Sequence, residues 1–189
     1  ASIYYKYRIM DYKLNNPNTM DLQGWEVDYQ TRLWYLPGVL SGLVLNANYT
    51  VASSKVQYPR TVIEGYFDWD LFVYVENNID STYTDKLIDQ PNEIINVSIG
   101  YDYKGFSGRL SMLHNDNVLV ATNFWPELRQ NTDAYRRWDL SLKQSLPVEG
   151  LEMFLNASNL TEAVDVSRYR GVTSKGDNLK LEQYYGRTI

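Results

Sequence analysis

Apolar and polar residues alternate with a period of two along most of this chain, and helical periodicity is nearly absent. Such alternation is typical of β-strands, in which successive side chains point to opposite faces of a sheet. The pattern predicts an all-β fold, an antiparallel meander of about eight strands. The predicted strands are 3–10, 25–33, 43–51, 95–103, 110–112, 137–143, 151–157 and a last one that begins near Gln183.

The predicted connections alternate between short and long. Short turns are expected near Gly38, Gly105 and Glu149, and long loops at about 55–92, 117–133 and 161–181. We expect all the long loops at one end of the sheet and all the short turns at the other. This rhythm favours an outer-membrane barrel, which has short periplasmic turns and long extracellular loops, over a soluble sandwich.

The alternation also predicts which side chains share a face. The apolar set is Ile95, Val97, Ile99, Leu140, Leu142, Leu151, Met153 and Leu155, and the polar set is Asn96, Ser98, Arg137, Asp139, Ser141 and Asn156. In a soluble sheet the apolar face would pack a core and the polar face would meet water. In a large barrel the apolar face would meet lipid and the polar face would line a wet lumen. Alternation alone does not separate these two interpretations.

Composition narrows the classes of function. The chain has 189 residues and a formal net charge of -5, which argues against a nucleic-acid partner. Cysteine is absent, which excludes disulfides and cysteine-based metal sites. Seventeen Tyr and five Trp stand beside only five Phe, which fits either a β-rich soluble protein or the aromatic girdles of a membrane barrel. No apolar run is long enough for a transmembrane helix.

Several segments resemble strands of one family in their order and spacing. Residues 23–30, with Gly24 and Glu26, and residues 40–50 are similar to two consecutive strands of TonB-dependent outer-membrane receptors. Residues 137–141 and 154–161 look like the penultimate hairpin of that family, and residues 185–188 like the start of its last strand. The resemblance covers essentially the whole chain, although no single motif is decisive.

The resemblance implies that residues 1–189 are the C-terminal portion of a 22-stranded transmembrane β-barrel, open at both cut edges. The plug domain and the final half-strand are expected to be absent. The parent protein would lie in the cell outer membrane and take up a scarce ligand, such as a siderophore, cobalamin or an oligosaccharide. Its partners would be outer-membrane lipid and, through the plug, the TonB energy-transducing complex. Enzymatic activity, cofactors and metal ions are not expected.

Two other functions remain open: a passive outer-membrane pore or structural barrel, and a soluble β-sandwich binding module. An upstream plug domain would separate the transporter from the pore, and detergent dependence of the full-length protein would separate both from the sandwich.

Candidate functional residues fall into two groups. Aromatic and arginine side chains on long loops suit ligand capture; these are Tyr58, Arg60, Tyr66, Trp69, Trp125 and Arg129. Polar strand positions would face a lumen; these are Glu26, Asp28, Arg32, Asn96, Arg109, Arg137, Asp139 and Lys143.

Three weaker chemical signals favour structural roles. His114 is the only histidine, too few for a triad or a metal site. Asp68 and Asp70 resemble a glycosidase pair but fall in a predicted loop. Residues 77–85 are rich in oxygen ligands but lack the Gly and the terminal Glu of a calcium loop.

Overall fold

The computed structural model describes residues 15–170 and 178–189, which contain eleven strands and two short 3-10 helices but no α-helix. No helix in this part of the chain is long and apolar enough to cross a membrane. The predicted strand at 3–10 lies outside the described residues. The strands are β1 (Met20–Arg32), β2 (Leu43–Asp68), β3 (Val73–Asp85), β4 (Glu93–Tyr103), β5 (Phe106–Asn115), β6 (Val118–Ala121), β7 (Gln130–Thr132), β8 (Tyr135–Ser145), β9 (Glu152–Ala157), β10 (Val164–Tyr169) and β11 (Asn178–Tyr184).

The main sheet, which we define as β1, the first half of β2, β4, β5, β8 and β9, is antiparallel throughout. Its spatial order is β1-β2-β4-β5-β8-β9, which confirms the all-β antiparallel prediction for these strands. Among the described residues, β1 and β9 each pair with a single strand and not with each other, so the main sheet is open at both edges.

The segment predicted as a loop at 55–92 is instead mostly strand. β2 is 26 residues long and continues beyond the main sheet to pair with β3, from Val56 opposite Asp85 to Asp68 opposite Val73. We call the part of this hairpin outside the main sheet, residues 57–84, the arm. The loop prediction was wrong because both faces of the arm mix apolar and polar residues, so that β-branched neighbours such as Val62 and Ile63 obscure the alternation.

The other two predicted loops also contain strands. Residues 118–121, 130–132 and 164–169 join β11 in a small sheet of spatial order β11-β10-β7-β6. The last strand, predicted to begin near Gln183, is instead β11, which ends at Tyr184 and pairs with β10 and not with the main sheet. After β11, an isolated bridge between Thr188 and Ser158 brings the chain next to the end of β9. The described residues contain eleven strands and not the seven predicted within them, because β3, β6, β7 and β10 lie in segments predicted as loops.

The two ends of the main sheet differ as predicted. One end carries the three short connections, of which Lys104–Gly105 is the tightest. Both residues have positive φ, 46° and 80°, as a two-residue hairpin of type I′ requires. The arm and the small sheet lie at the opposite end. For the described residues, the predicted placement of the three short turns at one end and of the longer segments at the other is therefore confirmed.

The buried core is very small and lies at the base of the arm. Val56, Tyr58 and Leu119 form it, with Tyr83 packed against it, and Ala157 is the one further buried hydrophobic residue among those described. The apolar face of the main sheet, in contrast, has no covering layer of described residues. Several large side chains there are about half exposed, including Trp25 at 54%, Ile99 at 51% and Met153 at 59%.

Candidate functional site

All eight predicted lumen residues lie on one face of the main sheet, which we call the polar face. Residues paired across antiparallel strands point to the same side. Asp28 pairs with Asn48 and Asn48 with Asn96, while Arg109 pairs with Ser141, two positions from Asp139 and Lys143 on the same strand. The predicted separation of faces is thus confirmed, except that Leu151 precedes β9 and lies outside a strand. That the polar face lines a lumen stays a prediction.

Most charges on the polar face neutralise one another. Arg109 pairs with Asp102 at 2.7 Å, Arg137 with Asp139 at 3.1 Å, and Lys143 with Glu152 at 2.7 Å. These side chains remain about a third to a half exposed, and exposed pairs of this kind contribute less than about 1 kcal/mol to stability. Their main consequence is that the polar face presents little net charge.

A recess of about 300 Å³ lies on the polar face between β1, β2, β4, β5 and β8. Its polar lining consists of Asp28, Asn46, Asn48, Asn96, Ser98, Ser111, Arg137 and Asp139. The amides of Asn46 and Asn96 and the carboxylate of Asp28 form no side-chain hydrogen bond or ion pair with the rest of the described chain. The recess therefore offers free donors and free acceptors side by side.

Four of these groups were not singled out from the sequence as candidate site residues: Asn46, Asn48, Ser98 and Ser111. The sequence does contain a signal for them, since each is a polar residue that alternates with apolar residues along its strand. Ser111 Oγ donates to Ser98 Oγ at 3.2 Å, and Asn48 Nδ2 donates to Glu26 Oε1 at 2.5 Å. Only the pairing of β2 with β4 and of β4 with β5 brings these side chains together.

The apolar face of the main sheet is organised in rows. Leu45, Ile99, Leu110 and Leu140 are direct cross-strand neighbours in a central aliphatic row. Aromatic rings border this centre along the strand direction. Tyr101, Tyr103 and Phe106 cluster at the short-turn end, with centroid distances of 6.1 and 6.2 Å, and Trp25 meets Tyr49 edge to face at 5.1 Å towards the other end.

The separation of apolar and polar residues onto two faces is lost where β2 enters the arm. β2 pairs with β1 and then β3 without a register shift, so its even-numbered residues stay on the side of the polar face. In the arm this side carries the apolar pair Val62 and Ile79 next to the polar pair Glu64 and Asn77. The other side, continuous with the apolar face, likewise carries Thr61 opposite Asp80 and Phe67 opposite Tyr74.

The loop placement of three predicted ligand-binding residues was wrong. Tyr58, Arg60 and Tyr66 all lie within β2. Tyr58 is only 7% exposed, packs against Tyr83 at 5.8 Å and donates from its hydroxyl to the carbonyl of Lys86 at 3.1 Å. Burial raises the pKa of its hydroxyl. These contacts make Tyr58 a packing residue at the base of the arm.

Trp69 lies in the turn at the tip of the arm and is 75% exposed. It packs edge to face on Phe67 at 4.7 Å and Phe72 at 6.3 Å. Asp68 Oδ1 orders this turn by accepting hydrogen bonds from the backbone N–H groups of Asp70 and Leu71, at 2.9 and 3.0 Å. The local role of Asp68 is therefore turn formation. A role of Trp69 in ligand capture stays a prediction.

Trp125 and Arg129 flank the short 3-10 helix Pro126–Leu128. Trp125 is 44% exposed. Arg129 Nη1 lies 3.1 Å from Asp85 Oδ2, an ion pair without hydrogen-bond geometry that ties this connection to the end of β3. The proposed ligand contacts of both residues stay predictions.

The small sheet is held by a second ionic cluster. Asp133 accepts from Arg168 Nε and Arg170 Nη2, each at 2.6 Å. Burial alone would raise the pKa of Asp133, but the hydrogen bonds and charges of the two guanidinium groups outweigh it and hold the pKa below its usual value. Nearby, the Lys86 ammonium donates to the carbonyl and side chain of Asn117, and burial lowers its pKa.

The described residues contain no group of three or more His, Cys, Asp or Glu side chains that could hold a metal ion. His114 lies on the apolar face beside Ile95, and its Nδ1 is 3.2 Å from the carbonyl of Tyr135. Comparison of the chain with protein-family models, with curated proteins and with solved structures found no match.

Proposed function

We propose that this chain forms part of the barrel wall of a TonB-dependent transporter in the outer membrane, which takes up a scarce ligand. The observation that carries the proposal is the apolar face of the main sheet, whose large side chains have no covering layer. A face of this kind needs an apolar partner, because exposing it to water is unfavourable. Outer-membrane lipid is the partner that matches its aliphatic centre and aromatic borders.

Strand length supports the same proposal. β4, β5 and β8 contain 11, 10 and 11 residues. A tilted transmembrane β-strand needs about 9–11 residues to cross the hydrocarbon core. The apolar face also does not continue along the arm, where Thr61 and Asp80 lie on its side. A strand that leaves lipid needs such a change, because its outer side then meets water. A β-sandwich is less well supported, since its second sheet would cover the apolar face.

The test uses the full-length protein that contains this chain. We expect it to fractionate with the outer membrane, to need detergent for solubility, and to migrate differently on gels before and after heating. Uptake of its ligand should depend on the TonB complex and on a plug domain. A full-length protein that stays soluble without detergent would overturn the proposal, and uptake that persists without the TonB complex would favour the passive pore.

The isolated 189-residue chain provides a second test. An open edge is not tolerated in lipid, because unpaired backbone N–H and C=O groups have no hydrogen-bond partner there. We therefore expect the isolated chain neither to insert into liposomes as a stable monomer nor to transport. A protease-resistant monomer of this chain that takes up ligand would contradict the expectation.

A further inference from the structure

We infer that the recess on the polar face is a binding site for an uncharged, hydroxyl-rich solute of the carbohydrate class. The inference deepens the proposed function and rests on it, because a solute meets the polar face in transit only if the main sheet is a barrel wall.

The lining has the mixed character that hydroxyl groups require. Each sugar hydroxyl both donates and accepts a hydrogen bond, so it is satisfied best where donors and acceptors alternate. Asn46 and Asn96 each present a free amide with two N–H donors and one carbonyl acceptor, and Asp28 adds a free carboxylate acceptor. The hydroxyls of Ser98 and Ser111 lie between them on β4 and β5 and already bond to each other.

The charges around the recess disfavour an anion. Arg137 is the one basic residue in the lining, and its Nε donates to Asp139 at 3.1 Å. Asp139 Oδ1 in turn accepts from the backbone N–H of Asn159 at 2.9 Å, so its carboxylate holds the arginine in place. The lining holds the carboxylates of Asp28 and Asp139 against the single guanidinium of Arg137, so its net charge is negative and it repels an anionic ligand.

The charges of the lining do not favour a highly charged cation either. The lining holds two carboxylates and one guanidinium, and Arg137 neutralises Asp139. Asp28 is then the only uncompensated charge in the lining. A single carboxylate suits a sugar, because it accepts charge-assisted hydrogen bonds from hydroxyl groups, and these are stronger than neutral ones.

The experiment measures binding to the full-length protein in detergent. The probes are an array of uncharged gluco-, xylo- and manno-oligosaccharides, a matched array of sulfated and phosphorylated sugars, ferric citrate, and spermidine as a cation. Membrane insertion is measured separately by heat-dependent mobility. We expect one or more uncharged oligosaccharides to bind and the anions and spermidine not to compete.

Variants locate the site. Asn96→Leu removes the free amide without changing the size of the side chain much, and Ser98→Ala removes a hydroxyl. Each should weaken oligosaccharide binding about two- to tenfold, the effect of one lost hydrogen bond. Asn156→Leu is the matched control, because Asn156 lies on the same face outside the recess and accepts from Ser141 at 2.7 Å. The control should bind as the unaltered protein does.

The outcomes separate the two proposals. Binding of charged probes only, no binding of an uncharged probe, or equal loss in Asn96→Leu and Asn156→Leu would each overturn the recess as a carbohydrate site, whether or not the protein inserts. Oligosaccharide binding that is lost in Asn96→Leu by a protein that fails to insert would support the recess and overturn the transporter.

Discussion

The main sheet and the arm share one strand, yet only the main sheet separates apolar from polar residues. Along the first half of β2, Leu45 and Tyr49 lie on one side with Asn46 and Asn48 on the other, whereas in the arm each side carries both apolar and polar residues. Because the register does not shift, the backbone gives no reason for this change. The reason must lie in what surrounds each part of the strand.

The two regions also differ in what covers their apolar residues. At the base of the arm, Val56 and Tyr58 are covered by the connection that carries Leu119, which is fully buried. In the main sheet the apolar side is covered by no part of the described chain. The difference is explained if lipid covers the main sheet and protein covers the base of the arm.

The largest effect is expected at the base of the arm. Leu119→Ala removes a fully buried side chain and leaves a cavity, which costs about 2–5 kcal/mol. We expect hydrogen exchange of the backbone amides around Tyr83 to accelerate accordingly in the full-length protein. Val120→Ala is the control, since Val120 is 41% exposed and should change exchange little. Equal acceleration in both variants would show that the arm is not anchored by Leu119.

The second prediction compares two isoleucines on the same side of the hairpin and sheet. Ile99 in the main sheet and Ile63 in the arm are 51% and 45% exposed. If lipid covers only the main sheet, Ile99→Arg should lower the free energy of unfolding by about 2–4 kcal/mol. Ile63→Arg should change it by less than about 0.5 kcal/mol, as for an ordinary surface site.

Urea titration of the full-length protein in lipid vesicles measures both values. Equal small effects of the two arginines would show that the apolar face of the main sheet does not contact lipid.

The third prediction contrasts two glycines. A Cβ on Gly24, in the main sheet, would lie 2.5 Å from the carbonyl oxygen of Val51, so the backbone of β2 would have to move. A Cβ on Gly65, in the arm, would meet the hydroxyl end of Tyr74, an exposed side chain that can rotate away. We expect Gly24→Ala to destabilise by about 1–3 kcal/mol and Gly65→Ala by less than about 0.5 kcal/mol. Thermal unfolding of both variants checks the difference.

The smallest effect concerns pH and the small sheet. The pKa of Asp133 is lowered in the folded protein by Arg168 and Arg170. Its ion pairs therefore stabilise the fold above the unfolded carboxyl pKa of about 3.9, and this stability is lost as the pH falls through the lower folded value. We expect the small sheet to become sensitive to pepsin below about pH 4, with an effect on the order of 1 kcal/mol.

Asp133→Asn should make the small sheet sensitive at higher pH and remove this pH dependence. Asp165→Asn, on β10 of the same sheet, is the control and should leave the profile unchanged. A profile that is identical in all three proteins would contradict the role of Asp133.

Most of the main sheet could be predicted from the sequence because each of its strands has one apolar and one polar side. In β4, for example, the apolar residues Val97 and Ile99 alternate with the polar residues Asn96 and Ser98, so only one assignment of faces is possible. The arm could not be predicted because Val62 and Ile63, adjacent in sequence, are both apolar and point to opposite sides. Periodicity alone cannot distinguish a strand without clean alternation from a loop.

The recess could be predicted only in part. Asp28, Asn96 and Arg137 were expected on one face, but their assembly depends on β2 pairing with β4 past the whole length of the arm. Sequence patterns do not give this non-local register. Likewise, Tyr58 has the composition of a ligand-binding residue, and only its contact with Leu119 and Tyr83 shows that it packs the base of the arm.

Chains of this kind can differ in the length of the arm without a change elsewhere in the fold. β3 pairs only with β2 among the described strands, so residues can be inserted or deleted in the arm without altering any register of the main sheet. An unequal change in the two strands would shift the pairing of every arm residue beyond it. Natural length variation in this hairpin should therefore be divided equally between β2 and β3.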